Sequence, residues 1–301
     1  MRVFVTGASG HIGSAVVPEL LAAGHQVTGL ARSDASAAAL TAAGATALPG
    51  TIDDLDILRS AAAASDGVIH LAFKHESMRS GDMAGAAAAD LAAVRAMLDA
   101  IEGTDKPFVG TSGTLILAVF APGKLGTEED AFPGGPRIDV ENLVIATGAR
   151  GVRTSVIRLP PTVHSSLDHH GFVPTLIGIA RDKGVSGYVG DGSNRWPTGH
   201  TLDAAHLYRL ALEGAPAGSR LHAVGDEGVP FKEIAEAIGR HLNVPAVSIA
   251  AEDATAHFSF LGDFVQLDNP TSNDLTRKLL GWEPTHPGLI ADLDEGHYFT
   301  S

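Results

Sequence analysis

The chain has 301 residues, 45% of them hydrophobic, enough for one large domain and a smaller appended one with a sizeable core. Twenty-one basic residues against thirty-five acidic ones give a formal charge of −14, which disfavours nucleic acid and anionic membrane as partners. The absence of cysteine excludes disulfides, thiolate catalysis and cysteine metal sites; with a core strand at the amino terminus and no apolar run near the ~18 residues of a membrane span, a cytoplasmic protein is expected.

Arg2–Thr6 reads as the first strand, and the run Val3-Phe4-Val5-Thr6-Gly7-Ala8-Ser9-Gly10-His11-Ile12-Gly13 carries the strongest signal in the chain. Its glycines lie between an apolar strand and a helical stripe of Ile12, Val16, Leu20 and Leu21 that stops at Gly24. Gly7 permits a tight turn, Gly10 lets the backbone approach a pyrophosphate, and Gly13 lets the helix pack close to the sheet. Free N–H groups and the helix dipole favour phosphate at that point. Gly7, Ser9, Gly10, His11, Ile12 and Gly13 are therefore expected to cradle a dinucleotide. Gln26–Ala31 is the second strand. About 20 residues beyond the glycines, where such folds meet the adenosine ribose, the chain has Arg32 and Ser33. A guanidinium can pair with a 2′-phosphate, so NADP(H) is favoured and NAD(H) possible. The alternative is a solvated Arg32, with Asp34 taking the ribose.

Residues 35–43 read as a helix and 46–50 as a short strand. Asp53 and Asp54 then open an alanine-rich helix, complementing its dipole, or Ile52 and Asp53 flank the adenine. Residues 67–73 read as a buried strand, with Leu71, Ala72 and Phe73 lining the cofactor crevice and Lys74 and His75 just beyond. A long helix is expected over 82–102 and a fifth strand over 107–111, ending in Thr111-Ser112-Gly113-Thr114. Residues 115–136 read as a loop long enough for a lid or linker. A helix over 137–148 and a sixth strand over 152–159 lead to Pro160-Pro161. Beyond them the alternation fails: helices at 172–183, 202–213 and 230–242, a last one from Ser272 to Leu279, and strands at 185–189 and 221–224. The expected class is α/β. A doubly wound parallel dinucleotide-binding sheet occupies 1–160 and a smaller mixed substrate domain 161–301, from which about 199–226 returns to the sheet.

Five segments carry a resemblance over essentially the full length. They are Thr6-Gly7-Ala8-Ser9-Gly10-His11-Ile12-Gly13, Val68-Ile69-His70-Leu71-Ala72, Thr111-Ser112, Arg158-Leu159-Pro160-Pro161-Thr162-Val163-His164 and Leu279-Leu280-Gly281-Trp282-Glu283-Pro284. With these the chain resembles a short-chain dehydrogenase/reductase of the extended or atypical type, in the NAD-dependent epimerase/dehydratase family. The resemblance implies a Rossmann sheet, Thr111 among the cofactor contacts, and Ser112 as the serine bonded to the reacting carbonyl. It also implies residues 160–163, including Pro160 and Val163, beside the nicotinamide carboxamide, and a homodimer. One departure is plain. The family's proton donor is a tyrosine followed four residues later by lysine, and none of Tyr188, Tyr208 and Tyr298 has that lysine. The expected place, 133–137, offers only proline and arginine.

Hydride transfer still needs proximity, a polarising donor and a proton. Ser112 is a donor or a turn serine; Lys74 and His75 are proton sources or solvated loop charges; His164 reaches the substrate or packs. His164, His169 and His170 could suggest a metal cluster, but no metal is expected, because no carboxylate beyond Asp168 lies at convincing spacing and adjacent histidines diverge. The leading expectation is an NADPH-dependent oxidoreductase of the carbonyl reductase kind, transferring hydride between nicotinamide and a small apolar carbonyl or alcohol. The alternatives are a sugar-nucleotide epimerase or dehydratase, and a non-catalytic NADP(H)-sensing protein.

Overall fold

The computed structural model describes residues 1–300, apart from the side chains of Met78 and Arg79. In chain order the strands are β1 (Arg2–Thr6), β2 (Gln26–Ala31), β3 (Thr46–Pro49), β4 (Gly67–His70), β5 (Pro107–Gly113) and β6 (Arg153–Leu159). They are followed by β7 (Thr162–His164), β8 (Ser186–Val189), β9 (Arg195–His200), β10 (Ser219–His222), β11 (Asp226–Pro230) and β12 (Ala246–Ile249). The main sheet runs β10-β6-β5-β4-β1-β2-β3, every pair parallel. This is the Rossmann order, and the strand sequence reverses between β1 and β4, where a crevice opens at the carboxyl ends.

The apolar runs predict this arrangement because a parallel strand is buried on both faces. Alternate side chains go to opposite sides. Val3, Val5, Val109 and Ile157 join one core with helices His11–Ala22 and Thr201–Gly214; Phe4, Phe108 and Val156 join another with Leu55–Ala64, Met83–Ala100 and Ile138–Thr147. A third core gathers Val173, Ile177, Trp196, Phe231, Ile238 and Phe258. It lies among helices Phe172–Lys183 and Phe231–Leu242, the β11-β9-β7 sheet and the β12-β8 pair. Among the described residues no helix is long and apolar enough to cross a membrane.

Several expectations need correction. The fourth strand stops at His70, because after Leu71 N–H bonds Thr6 O the chain leaves the ladder and turns into a short helix, His75–Arg79. Residues 115–136 are not a loop throughout: the unbroken apolar run Leu115–Phe120 coils into a helix. The remainder is no free lid. Gly126 pairs with the 270–272 segment through Gly126 N→Pro270 O at 2.8 Å and Ser272 N→Gly126 O at 2.9 Å, and Glu128 accepts from Thr276 N and Oγ1. The helix expected from Ser272 spans Asp274–Leu280, with the Ser272 hydroxyl accepting from Asp274 N, and a further helix, Leu289–Asp294, follows it. β9 and β11 are absent from the sequence reading because their proline, glycine and charge break the alternation that marks a strand, and β7 and β12 because three or four residues are too few to show it.

Candidate active site

The turn after β1 is shaped by close backbone approach. Gly7 has φ +66°, and a Cβ there would lie 2.7 Å from Ala72 N. A Cβ on Gly13 would lie 2.2 Å from Gly7 O and 2.6 Å from the Ala8 carbonyl. Gly10 caps helix His11–Ala22 without a side-chain bond, so the first-turn N–H groups of His11, Ile12 and Gly13 are left facing outward. Ser9 and Gly10 are exposed. The helix end and the cradle that a Cβ would fill together suit a diphosphate.

The adenosine side is built from β2 and β3. Arg32 is 74% exposed, its guanidinium 3.8 Å from Glu76, and the Ser33 hydroxyl caps helix Asp34–Ala42 by accepting from Ser36 N at 3.2 Å. Asp53 and Lys74, assigned separately from sequence, meet as an ion pair at 2.7 Å. That pair spans the ends of β3 and β4 and commits Lys74 to the adenosine side of the switch point. Asp54 turns its carboxylate back onto Thr51, which holds its pKa below the ordinary range. His75 lies edge-on to Phe73, centroids 5.2 Å apart.

Between β1, β4 and β5 runs a buried polar chain absent from the sequence reading. Thr6 Oγ1 meets His70 Nδ1 at 2.7 Å, and His70 Nε2 donates to Asp90 Oδ1 at 2.8 Å. Arg137 Nη1 donates to Asp90 Oδ2 at 3.1 Å and Nη2 to Thr111 O at 3.2 Å. The guanidinium carbon stands 4.2 Å over the Phe73 ring. The Thr111 hydroxyl donates to His70 O and meets Tyr208 Oη at 2.8 Å, tying β5 to the helix beneath. These partners lie far apart in sequence, and only the polar residues inside apolar stretches could have signalled them.

Ser112 faces the opposite side of β5. It is 3% exposed, and its Oγ makes no hydrogen bond among the described residues. Burial would raise the nearby Glu141 carboxyl, but Arg158 and Arg220 hold it below its ordinary value. Pro160 is buried after β6, and Val163 pairs with Gly199 in β7.

A second polar cluster abuts the cradle. His11 Nε2 meets Thr201 Oγ1 at 2.9 Å, Ser165 Oγ donates to the same oxygen, and Thr201 Oγ1 donates to His164 O. His164 is packed, with Nδ1 on Asp292 at 2.9 Å. Burial, then the neighbouring His169, His164 and His170, pulls His11 down to about 4, and burial with His164 and His286 does the same to His200. Burial pushes Asp168 up to about 6. A histidine lowered in the fold is neutral where the unfolded chain binds a proton, so stability falls as pH drops from 6.5 toward 4. Asp168 works in the opposite sense, adding stability as pH falls through 6. With His222, also lowered by burial, the histidines outweigh it. Scanning fluorimetry should therefore show a melting temperature that drops by several degrees between neutral pH and the low end of that window; a rise would contradict the assignment.

His200, Asp203 and His286 bring ligating atoms within 4.8 Å. The two rings are stacked at 7°, however, so their in-plane lone pairs cannot converge on one ion. The Asp203 oxygens already accept from Thr285 N, His286 N and the His286 ring. The same holds for Asp292, shared between His164 and His297.

The profile of the NAD dependent epimerase/dehydratase family matches residues 3–223. Uncharacterized protein C2A9.02 of Schizosaccharomyces pombe is 49% identical over 99% of this chain and 100% of its own length. A 4-hydroxy-2-methyl-3-oxo-4-farnesyl-3,4-dihydroquinoline-1-oxide ketoreductase of Stigmatella aurantiaca is 29% identical over 72% of this chain and 66% of its own. Among solved structures, DesIV, a dTDP-glucose 4,6-dehydratase of Streptomyces venezuelae with NAD and TYD bound, superposes with a TM-score of 0.77. It is 20% identical and covers 98% of this chain and 96% of that one, a likeness of fold.

Proposed function

This chain belongs to the NAD dependent epimerase/dehydratase family, and on that premise we propose that it is an NADPH-dependent reductase of small, largely apolar ketones or aldehydes. The observation that carries this reading is a close-packed glycine turn suited to a diphosphate together with apolar residues that follow β4 and β5. Leu71, Ala72 and Phe73 follow β4, and helix Leu115–Phe120, with Val119 57% and Phe120 46% exposed, follows β5. Such residues suit an apolar carbonyl better than a sugar diphosphate. The ketoreductase named among the relatives points the same way.

Gly7, Ser9, Gly10, His11, Ile12 and Gly13 would hold the diphosphate. Arg32, released from its exposed contact with Glu76, would take the 2′-phosphate, and Ser33 and Asp53 would border the adenosine. Leu71, Ala72, Phe73, Thr111, Pro160 and Val163 would border the nicotinamide half. A bound nicotinamide supplies the two-electron reduction. We assign Ser112 to the substrate side, His75 to proton traffic at the cleft mouth, and Lys74 to holding Asp53. The Ser112 hydroxyl is buried, so this assignment requires it to reorient toward the carbonyl.

The test is NADPH consumption against a panel of aliphatic ketones, aromatic aldehydes and oxo esters, alongside binding calorimetry. Turnover of at least one member is expected. Tight binding without turnover would replace the enzyme reading with the sensor reading. Arg32→Ala should weaken NADPH binding by about tenfold, roughly one charge-assisted hydrogen bond, and leave NADH within about twofold. Equal loss for both coenzymes would contradict the assigned preference.

A further inference from the structure

We infer that Arg137 is the catalytic residue that polarises the reacting carbonyl, its guanidinium receiving the carbonyl oxygen and stabilising the charge that develops there. The inference rests on the reductase reading above and names the group that serves it.

Arg137 stands just before helix Ile138–Thr147 with φ 69° and ψ −33°, a positive-φ backbone that a residue with a side chain rarely adopts. Such a conformation persists only where surrounding contacts enforce it. Here they are the Asp90 carboxylate, Thr111 O and the Phe73 ring. Asp90 is 1% exposed, and its other oxygen is taken by His70, itself held by Thr6. The acceptor that orients Arg137 is thus fixed from β1 and β4 together.

The contacts place the guanidinium across the carboxyl ends of β4 and β5. A dinucleotide cradled at residues 7–13 extends its second half over that side of the switch point. A guanidinium has five N–H donors, of which Asp90 and Thr111 O engage one each. Nε–H and one N–H on each terminal nitrogen meet no partner among the described residues. The side chain is 22% exposed, so it is not sealed from solvent beside the ends of β4 and β5. Other cations near this edge are spent: Lys74 on Asp53, and Arg158, fully buried, on Glu141.

The reduced nicotinamide dinucleotide of the proposed function is the two-electron donor. As the carbonyl carbon gains hydride, its π pair moves to oxygen, and the alkoxide facing Arg137 then takes a proton from cleft water. A fixed charge aimed at a developing oxyanion acts mainly on the transition state. A guanidinium also keeps its proton throughout the working pH range.

The experiment compares Arg137→Ala and Arg137→Lys with the wild type on the fastest-reduced member of the carbonyl panel. Arg137→Ala should lose about 100- to 1,000-fold in kcat, with KM moving less than about threefold. Arg137→Lys should keep more activity, and added methylguanidine should restore part of the alanine variant's rate. A second readout needs no turnover. Trifluoroethanol, whose electron-poor hydroxyl stands for the product alkoxide, should bind the NADP+-loaded protein at least about tenfold more weakly after Arg137→Ala, with NADP+ affinity unchanged. A kcat near wild type, a loss confined to KM, failure of methylguanidine to rescue, or unchanged trifluoroethanol affinity would each overturn the inference. If the alanine variant does not fold, the lysine variant carries the same kcat and trifluoroethanol tests. A wild type that reduces nothing sinks the reductase reading and this inference together; turnover surviving in Arg137→Ala sinks this one alone.

Discussion

Replacing Gly13 by alanine is expected to abolish dinucleotide binding, with NADPH affinity falling at least about 100-fold, equivalent to about 2.7 kcal/mol. The added Cβ would sit 2.2 Å from Gly7 O and 2.6 Å from the Ala8 backbone, and neither can yield as a flexible side chain would. The helix must therefore back away from the turn, taking its first-turn N–H groups out of reach of a diphosphate. Each charge-assisted hydrogen bond lost there is worth about 1.5–3 kcal/mol, so two suffice for the predicted effect. Overpacking of this kind also costs the fold about 1–3 kcal/mol. Calorimetry at a temperature where the variant is still folded separates the two losses. Binding within tenfold of wild type would mean that the glycine turn is not where the phosphates rest.

The second large effect is on stability. Glu141→Ala should destabilise the protein by about 3–5 kcal/mol, because it strands a buried guanidinium. Arg158 is fully buried; its Nε and Nη2 donate to the two Glu141 oxygens at 3.0 and 2.6 Å, and Arg220 Nε adds a third bond at 2.7 Å. Arg158 also donates to Thr127 O, Asp130 O and His222 Nε2, so it anchors the 127–130 segment as well. At about 2–4 °C per kcal/mol for a domain of this general size, the melting temperature should fall by about 6–20 °C. The paired replacement Glu141→Leu with Arg158→Met should recover much of that loss, since the cost comes from the unpaired charge rather than from the absence of the pair. A single variant that melts with the wild type would show that water reaches Arg158.

The elements that sequence reveals and those it conceals divide along a physical line. Up to Leu159, buried parallel strands are apolar runs of the expected length, and glycines such as Gly7, Gly13 and Gly24 mark where helices begin and end. The glycine turn is legible for that reason, since its shape is written in backbone conformation and local spacing. After Leu159 the strands carry their register through long-range pairing. Arg195–His200 contains proline and glycine and pairs with segments on either side of it in the chain. The polar chain Thr6–His70–Asp90–Arg137 was hidden for a related reason. Its members come from a strand end, another strand, a helix interior and a loop, and nothing periodic links them. Lys74 and Asp53 lie 21 residues apart in the chain, and only the fold shows that they neutralise one another. The 115–136 segment was misread because its restraints come from residues 270–276, far along the chain.

One edge strand of the main sheet, β10, comes from residues 219–222, after the chain has already left the sheet to supply the first members of the third core, Val173 to Trp196. Helix Thr201–Gly214, whose Leu207, Tyr208, Ala211 and Leu212 cover one face of that sheet, arrives equally late. On the ribosome, then, the first six strands emerge with an apolar face and an edge both uncovered, and they stay so until residue 222 has cleared the exit tunnel. Translation speed through this interval, and chaperones able to shield a bare sheet, should govern how much of the protein reaches its native state, and a chain stopped after β6 should aggregate rather than persist as a half-sized binding unit.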